Sequence, residues 1–287
     1  MLSIIRLIRP QQWIKNLFLL IPMFFAGELL NTDYMLTTLL GIIAFSIIAS
    51  SVYVINDIRD VEQDRENPKK RFRPIASGNV SVNKAIIIAL ILSVSGFAMG
   101  AWLTLDFFYI LLIYFLLNIG YSAGLKQISI LDILIIAAGF VLRTIAGGVV
   151  VDIAISQWLL IMIFLLSLFL AIAKRREDVL LFNSGVMVRK SIKHYNLQFI
   201  DSALTMTSGI IIIAYMMYTI SPEAEKTMNF QYLYGTTVFV VAGMLRYLQI
   251  TLVEKNSGSP VRTLYTDRFI QITLGLWILS FFLILYL

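Results

Sequence analysis

The sequence predicts an all-α, polytopic membrane protein: nine transmembrane helices around a central cavity that opens to the cytoplasmic face. Three observations predict it. Hydrophobic residues make up 59% of the 287 and charged residues only 14%, whereas a soluble chain carries about a quarter charged. Apolar stretches of transmembrane length recur from end to end. The basic residues then fall almost entirely on one side of the threaded spans. A soluble globule this apolar could not hide its side chains, and 13% aromatics with 16 Gly and 6 Pro exclude disorder and collagen-like repeats.

Taken in order, the first span, 13–30, is interrupted by Pro22 and is expected to be retained, because no small-residue cleavage site follows a short apolar core. Spans 34–56, 85–105 and 107–125 are wholly uncharged. The fifth, 130–149, carries Arg143. Spans 153–173, 202–222, 227–245 and 269–287 complete the set. One side holds Arg6, Arg9, Lys15, the run 59–84, Lys126, 174–193 and 255–268. The other holds only Lys226, with Glu28, Asp33, Asp106, Asp152, Glu223 and Glu225. The positive-inside rule makes the basic side cytoplasmic, the N-terminus inside and the C-terminus outside. The net charge of +6 is thereby explained by topology and attraction to anionic lipid. No nucleic-acid module is visible.

Absence of cysteine removes disulfides and thiolate chemistry, and a single histidine, His194, cannot build a His-ligated metal site. His194 reads as an ordinary interfacial residue. Any cation must be held by oxygen, which favours Mg²⁺, Mn²⁺ or Ca²⁺. Oxygen ligands are concentrated between spans two and three. If span two continues to Asn67, Asp57, Asp60 and Asp64 fall at i, i+3 and i+7, and Asn56, Asp60 and Asp64 at i, i+4 and i+8. Both sets then lie near one face, where like charges gain nothing by stacking unless a cation separates them. The bland alternative is a solvated helix end.

Asn67-Pro68 should stop that helix, and Lys69, Lys70, Arg71 and Arg73 follow. These cations suit a substrate with several phosphates, although Lys69 and Lys70 alone read equally well as a topological anchor. A second charged knot, Lys174-Arg175-Arg176-Glu177-Asp178, lies four spans later at the same depth. This suggests two pseudo-repeated four-helix halves plus a ninth helix, forming a single membrane domain with each half capping one cavity. Arg143, costing at least about 2.5–3.5 kcal/mol at mid-helix, should face that cavity or a partner; its alternative is capture by backbone carbonyls near Gly139 or Gly147. Asp132 shares its face, too distant for a direct pair. Tyr114, Asn118 and Tyr121 form a stripe that alone reads as interhelical packing, and Arg246 repeats the Arg143 argument more weakly.

Asn56-Asp57-x-x-Asp60-x-x-x-Asp64 resembles the first aspartate-rich motif of the UbiA superfamily of nine-helix membrane prenyltransferases. Tyr121-Ser122-x-x-Leu125-Lys126 resembles that superfamily's segment after the fourth helix. Within the superfamily, four segments are similar to the decaprenyl-phosphate phosphoribosyltransferase branch. They are Arg9-Pro10-x-Gln12-Trp13-x-Lys15-Asn16, the run from Pro68 to Gly78, Gly139-Phe140-x-Leu142-Arg143 with Gly147, and Lys174-Arg175. Ordinary members carry a second Asp-x-x-x-Asp motif where this chain has its cationic knot, which argues against a prenyl-diphosphate donor.

The resemblance implies transfer of 5-phosphoribose from phosphoribosyl diphosphate (PRPP) to a polyprenyl phosphate for cell-envelope synthesis, in the plasma (inner) membrane of a prokaryote. It implies Mg²⁺, with Mn²⁺ as the alternative, held by Asn56, Asp57, Asp60 and Asp64. Asp60, Asn56 and Lys174 would be catalytic. Lys15, Asn16, Arg71, Arg73, Tyr121, Lys126, Arg143, Lys174 and Arg175 would bind substrate. Homo-oligomerisation is left open. The alternatives are a UbiA-type prenyl transfer to an aromatic or lipid acceptor and, from another class, a membrane transporter.

Overall fold

The computed structural model describes residues 2–68, 70–185, 190–222, 224, 230–254, 263 and 265–286; Lys69, Arg189, Glu223, Glu225, Lys226 and residues 255–262 of the charge survey lie outside them. The described residues are helical throughout, without a strand. In chain order they form α1 (Leu2–Ile8), a 3-10 helix (Pro10–Leu20), α2 (Ile21–Phe25), α3 (Thr32–Arg59), α4 (Val61–Glu66), α5 (Val82–Leu103) and α6 (Leu105–Ala123). Then come α7 (Leu131–Val150), α8 (Gln157–Asn183), α9 (Leu197–Thr219), α10 (Thr237–Leu248) and α11 (Arg268–Tyr286).

Among the described residues, eight stretches are long and apolar enough to cross a membrane: α3, α5, α6, α7, α8, α9, Leu233–Val253 around α10, and α11. The chain is an integral membrane protein. Side-chain oxygens set many of the starts: Asn31, Ser81, Thr104, Ser156 and Asn196 each accept a backbone N–H from the first turn they precede.

The first expected span is not a ninth such helix. Pro10 and Pro22 stand at the first positions of two successive pieces, an eleven-residue 3-10 helix and a five-residue α-helix, where the missing N–H costs nothing. The 3-10 form is the longer per residue. At about 2.0 and 1.5 Å rise the two pieces measure roughly 30 Å, close to the thickness of the hydrocarbon core. Of the eighth expected span, 227–245, residues 227–229 lie outside the described residues; the apolar stretch that is described, Leu233–Val253, runs past 245 and includes Arg246.

The chain divides into two compact units, Met1–Lys126 with Gly139–Ile155, and Gln127–Ala138 with Ser156–Leu287. In the first, α3 is the central helix, 61% buried over its apolar window against 17% for α5. Its buried Gly41, Ala44, Ser46, Ala49, Ser50 and Ser51 let neighbouring backbones approach closely. Trp13 Nε1 donates to Ser50 Oγ (3.0 Å) and Ser50 Oγ to the Ile8 carbonyl (2.9 Å), tying the N-terminal segment to α3. Gly147 completes the seam. A Cβ there would sit 2.0 Å from the Leu19 carbonyl oxygen.

A smaller cluster of Leu7, Val54, Ile75, Val80, Ala85 and Ala89 folds the 70–80 loop back onto α3. In the second unit, Phe169, Ile172, Ile200, Leu204, Tyr247 and Ile270 centre the core.

Candidate active site

In the first unit the acidic motif occupies the end of α3 and all of α4. The helix breaks at Asp60 (φ −89°, ψ 9°) yet keeps its bonding, Asp60 N to Asn56 O at 2.9 Å and Asp64 N to Asp60 O at 2.8 Å. Asn67 turns extended before Pro68 and ends it. The four oxygen-bearing residues do not converge on one point. They form two pairs, each centred on a cation.

In the first pair, Lys126 Nζ donates to Asp60 Oδ1 (2.8 Å), Asp60 Oδ2 (2.7 Å) and Asn56 Oδ1 (3.3 Å), while Ser122 Oγ donates to the same Asn56 oxygen (3.1 Å). In the second, Arg73 Nη1 bridges Asp57 Oδ1 (3.0 Å) and Asp64 Oδ2 (2.7 Å). Both carboxylates are 2% exposed. Lys70 Nζ lies 3.9 Å from Asp64.

Asp57 has a further partner. Arg9 Nη2 donates to both its oxygens, at 2.5 and 2.8 Å, from a residue in the left-handed region (φ 54°), with its guanidinium over the Tyr53 ring. Among the described residues no three acidic, histidine or cysteine side chains gather as a metal cage by themselves. The donor set is nevertheless all oxygen, and each pair already focuses on a positive nitrogen, which is chemistry that suits a hard divalent ion.

Arg143 is buried and committed to the protein. Nε donates to Asn16 Oδ1 (2.8 Å), Nη1 to the Gly139 carbonyl (2.7 Å) and Nη2 to Tyr114 Oη (2.9 Å), and Phe45, Tyr114 and Phe140 surround the guanidinium. The Gly139 carbonyl was the alternative partner the sequence suggested, but it belongs to an unbroken α7. Lys15, half-buried on the 3-10 helix, has no hydrogen-bond or ion-pair partner among the described residues. Arg71 is exposed, over the Phe72 ring. Tyr121 is half-buried in the last turn of α6, next to Ser122.

In the second unit the charged knot lies within α8, which runs past its apolar part to Asn183. Its cations are neutralised locally. Lys174, the most exposed of the three, pairs with Glu177 and lies 3.9 Å from Asp178. Arg175 pairs with Asp178 and places Nε 2.9 Å from Asp132 Oδ2. Arg176 Nε donates to Asp201 Oδ1 at 2.7 Å.

Asp132 is fully buried and also accepts from Tyr195 Oη (2.9 Å) and Ser191 Oγ (3.3 Å). Tyr195 Oη in turn accepts the N–H of Ile130, a β-branched residue at φ 69°. Burial pushes the Tyr195 phenol up to about 12. His194 is exposed in a short 3-10 turn. Sequence reasoning missed Arg9 and Tyr195 as site-shaping residues. Arg9 could have been suspected from its Arg-Pro dipeptide at a helix break, whereas Tyr195 carried no local signal.

Residues 17–273 match the model of the UbiA prenyltransferase family. The chain belongs to that family. Across 96% of its length it is 34% identical to the decaprenyl-phosphate phosphoribosyltransferase of Mycolicibacterium smegmatis, covering 90% of that protein. To the Corynebacterium glutamicum protein of the same name it is 30% identical over 99% of its length and 87% of the relative's.

A UbiA homolog from Archaeoglobus fulgidus, solved with GPP and Mg²⁺, superimposes with a TM-score of 0.70 at 18% identity, covering 98% of both chains; the same homolog has also been solved with Cd²⁺. The structural likeness concerns the fold. The sequence likeness places this UbiA-family chain in the phosphoribosyltransferase branch, as a membrane-embedded transferase.

Proposed function

We propose that this UbiA-family protein transfers 5-phosphoribose from PRPP to a polyprenyl phosphate, releasing diphosphate and leaving a lipid-linked phosphopentose for cell-envelope synthesis. The observation that carries this reading is the near full-length match to decaprenyl-phosphate phosphoribosyltransferases. The carboxylate and cation pairs of the first unit add suitable chemistry. The reaction would face the cytoplasm, an orientation supported by the gathering of basic residues on the side of the acidic motif.

Asn56, Asp57, Asp60 and Asp64 would hold Mg²⁺, or Mn²⁺ in its place. Bound there, the ion supplies charge neutralisation for the departing diphosphate. The remaining work is done by side chains of the protein. Lys15, with no counterion among the described residues, and Lys126 and Arg73, at the rim of the carboxylates, bind phosphate oxygens of the donor. Arg71, Tyr121, Lys174 and Arg175 contribute to substrate binding, Lys174 from the more exposed side. Asn16 and Arg143 contribute as a packed pair.

As the ribose C1–O bond breaks, its electrons leave with diphosphate, and an oxygen of the acceptor phosphate forms the new bond to C1 through an oxocarbenium-like transition state. The acceptor is already ionised at neutral pH, so no protein base has to take a proton. Positioning and electrostatics supply the catalysis.

The test incubates purified protein with labelled PRPP, Mg²⁺ and polyprenyl phosphates of graded length. Label should enter the lipid phase as a phosphopentose, EDTA should stop it, and Asp60→Asn should abolish it while the protein remains folded. Label that stays in water, while a parallel incubation with a prenyl diphosphate and an aromatic or lipid acceptor consumes the prenyl diphosphate, would overturn the reading in favour of prenyl transfer.

A further inference from the structure

The acidic motif is charge-balanced within the protein: Asp57, Asp60 and Asp64 meet Arg9, Arg73 and Lys126. The contacts are not equivalent. Arg9 grips Asp57 with both hydrogen bonds to one carboxylate, from a strained backbone and against an aromatic ring. A left-handed non-glycine residue persists only where its surroundings over-determine it. Lys126 and Arg73 instead sit at the foci of the two oxygen pairs, at 2.7–3.3 Å from Asp60 and Asn56 and at 2.7 and 3.0 Å from Asp64 and Asp57. They stand where a cation held by those oxygens would sit.

A divalent ion arriving alone must displace an ammonium or guanidinium from those oxygens and then stand beside it. A diphosphate arriving alone finds the same two cations already engaged. Arriving together, the two ligands satisfy both sets, because carboxylates turn to the metal as cations turn to phosphate. Resting on the PRPP–metal reading above, we propose that Lys126 and Arg73 are place-holding cations. They make binding of the divalent ion and of the diphosphate mutually dependent, while Arg9 remains on Asp57 as the fixed partner. The protein then avoids capturing metal without donor, and donor without metal.

The test uses full-length, detergent-purified protein and the loss of free Mn²⁺ signal in electron paramagnetic resonance, without donor or acceptor. A site held closed in nine molecules of ten lowers apparent affinity about tenfold. Lys126→Gln should therefore bind Mn²⁺ at least about tenfold more tightly than the unaltered protein, and adding Asp60→Asn should remove the gain. In the unaltered protein, labelled inorganic pyrophosphate should bind at least about tenfold more tightly once Mn²⁺ is present.

Equal Mn²⁺ affinity in the unaltered protein and Lys126→Gln, or pyrophosphate binding indifferent to Mn²⁺, overturns the proposal. Should Lys126→Gln lose its sharp gel-filtration peak, Arg73→Gln carries the same test on the Asp57 and Asp64 pair. Coupled binding without phosphopentose transfer from PRPP would sink the substrate reading and leave the place-holders standing; transfer without coupling would do the reverse.

Discussion

Arg143 Nε donates to Asn16 Oδ1 at 2.8 Å, joining residues 127 positions apart. Asn16 passes the bond on, donating from Nδ2 to Ser46 Oγ at 2.8 Å, so α7, the 3-10 helix and α3 are linked by one buried polar chain. All three guanidinium nitrogens have acceptors inside the unit. A lysine has the charge but not the fork, and would leave at least one acceptor unpaired. Arg143→Lys should cost about 2–3 kcal/mol, read as a lower temperature for heat-induced loss of the monodisperse detergent peak. If that temperature is unchanged, the fork is not holding the helices together.

Gly147 predicts a sharper failure. A methyl group 2.0 Å from the Leu19 carbonyl oxygen has no flexible side chain to push aside, so the 3-10 helix itself would have to retreat. Gly147→Ala should cost at least about 3 kcal/mol, the upper end of overpacking. Gly209 and Gly275 have open space where a Cβ would go, and alanine there should be neutral or stabilising by up to about 1 kcal/mol. The comparison of the three melts checks the seam.

What could be read from the sequence depended on how local the cause was. The apolar helices follow from runs of side chains in one stretch, so seven of the nine expected spans reappear close to their expected places. The first did not become a long α-helix because Pro22 stands at the junction of a 3-10 and a short α piece, and hydropathy does not register that distinction. The acidic motif was legible as carboxylates on a helix end, and Asn67-Pro68 as its stop. Its pairing was not. Lys126 lies 66 positions from Asp60 and Arg9 lies 48 from Asp57, and sequence spacing says nothing of such encounters. The Lys174–Asp178 knot read as cationic because, beyond its own Glu177 and Asp178, two of its partners, Asp132 and Asp201, lie far away in the chain.

Asp132 is the buried counterion of Arg175, and both are almost inaccessible to solvent. Removing Asp132 leaves Arg175 with Asp178 as its remaining counterion and its buried Nε without an acceptor, at about 1.5–3 kcal/mol. Asp132→Asn should therefore lower thermal stability strongly. The double variant Asp132→Asn with Arg175→Met should recover part of it, because the buried guanidinium is gone and Asp178 keeps Lys174 at 3.9 Å. A double variant no more stable than Asp132→Asn would refute the pairing as the source of the cost.

Tyr195 gives a pH signature. Its folded-state phenol is pushed up to about 12, first by burial, above the ordinary value near 10. Between those values the folded protein holds a proton that the unfolded chain has released, so stability from this group is full below about pH 10 and is lost as pH rises toward 12. Tyr195→Phe lacks the hydrogen bond to Asp132 and should be less stable at pH 8 by about 1–2 kcal/mol. The gap between the two melting temperatures should then narrow steadily from pH 10 upward. A gap that stays constant, or widens, would show that the phenol is not protected by the fold.

Lys174 separates binding from folding. Its side chain is 44% exposed and its partners Glu177 and Asp178 lie one turn along the same helix, an arrangement that contributes little to stability. Lys174→Ala should melt with the unaltered protein. As a phosphate-binding cation it should instead raise KM for one substrate by about tenfold, with a smaller effect on kcat, since its loss removes binding common to ground and transition states. Steady-state kinetics with PRPP and polyprenyl phosphate varied in turn identify which substrate it holds. An unchanged KM for both, with kcat falling instead, would move Lys174 from binding to the chemical step.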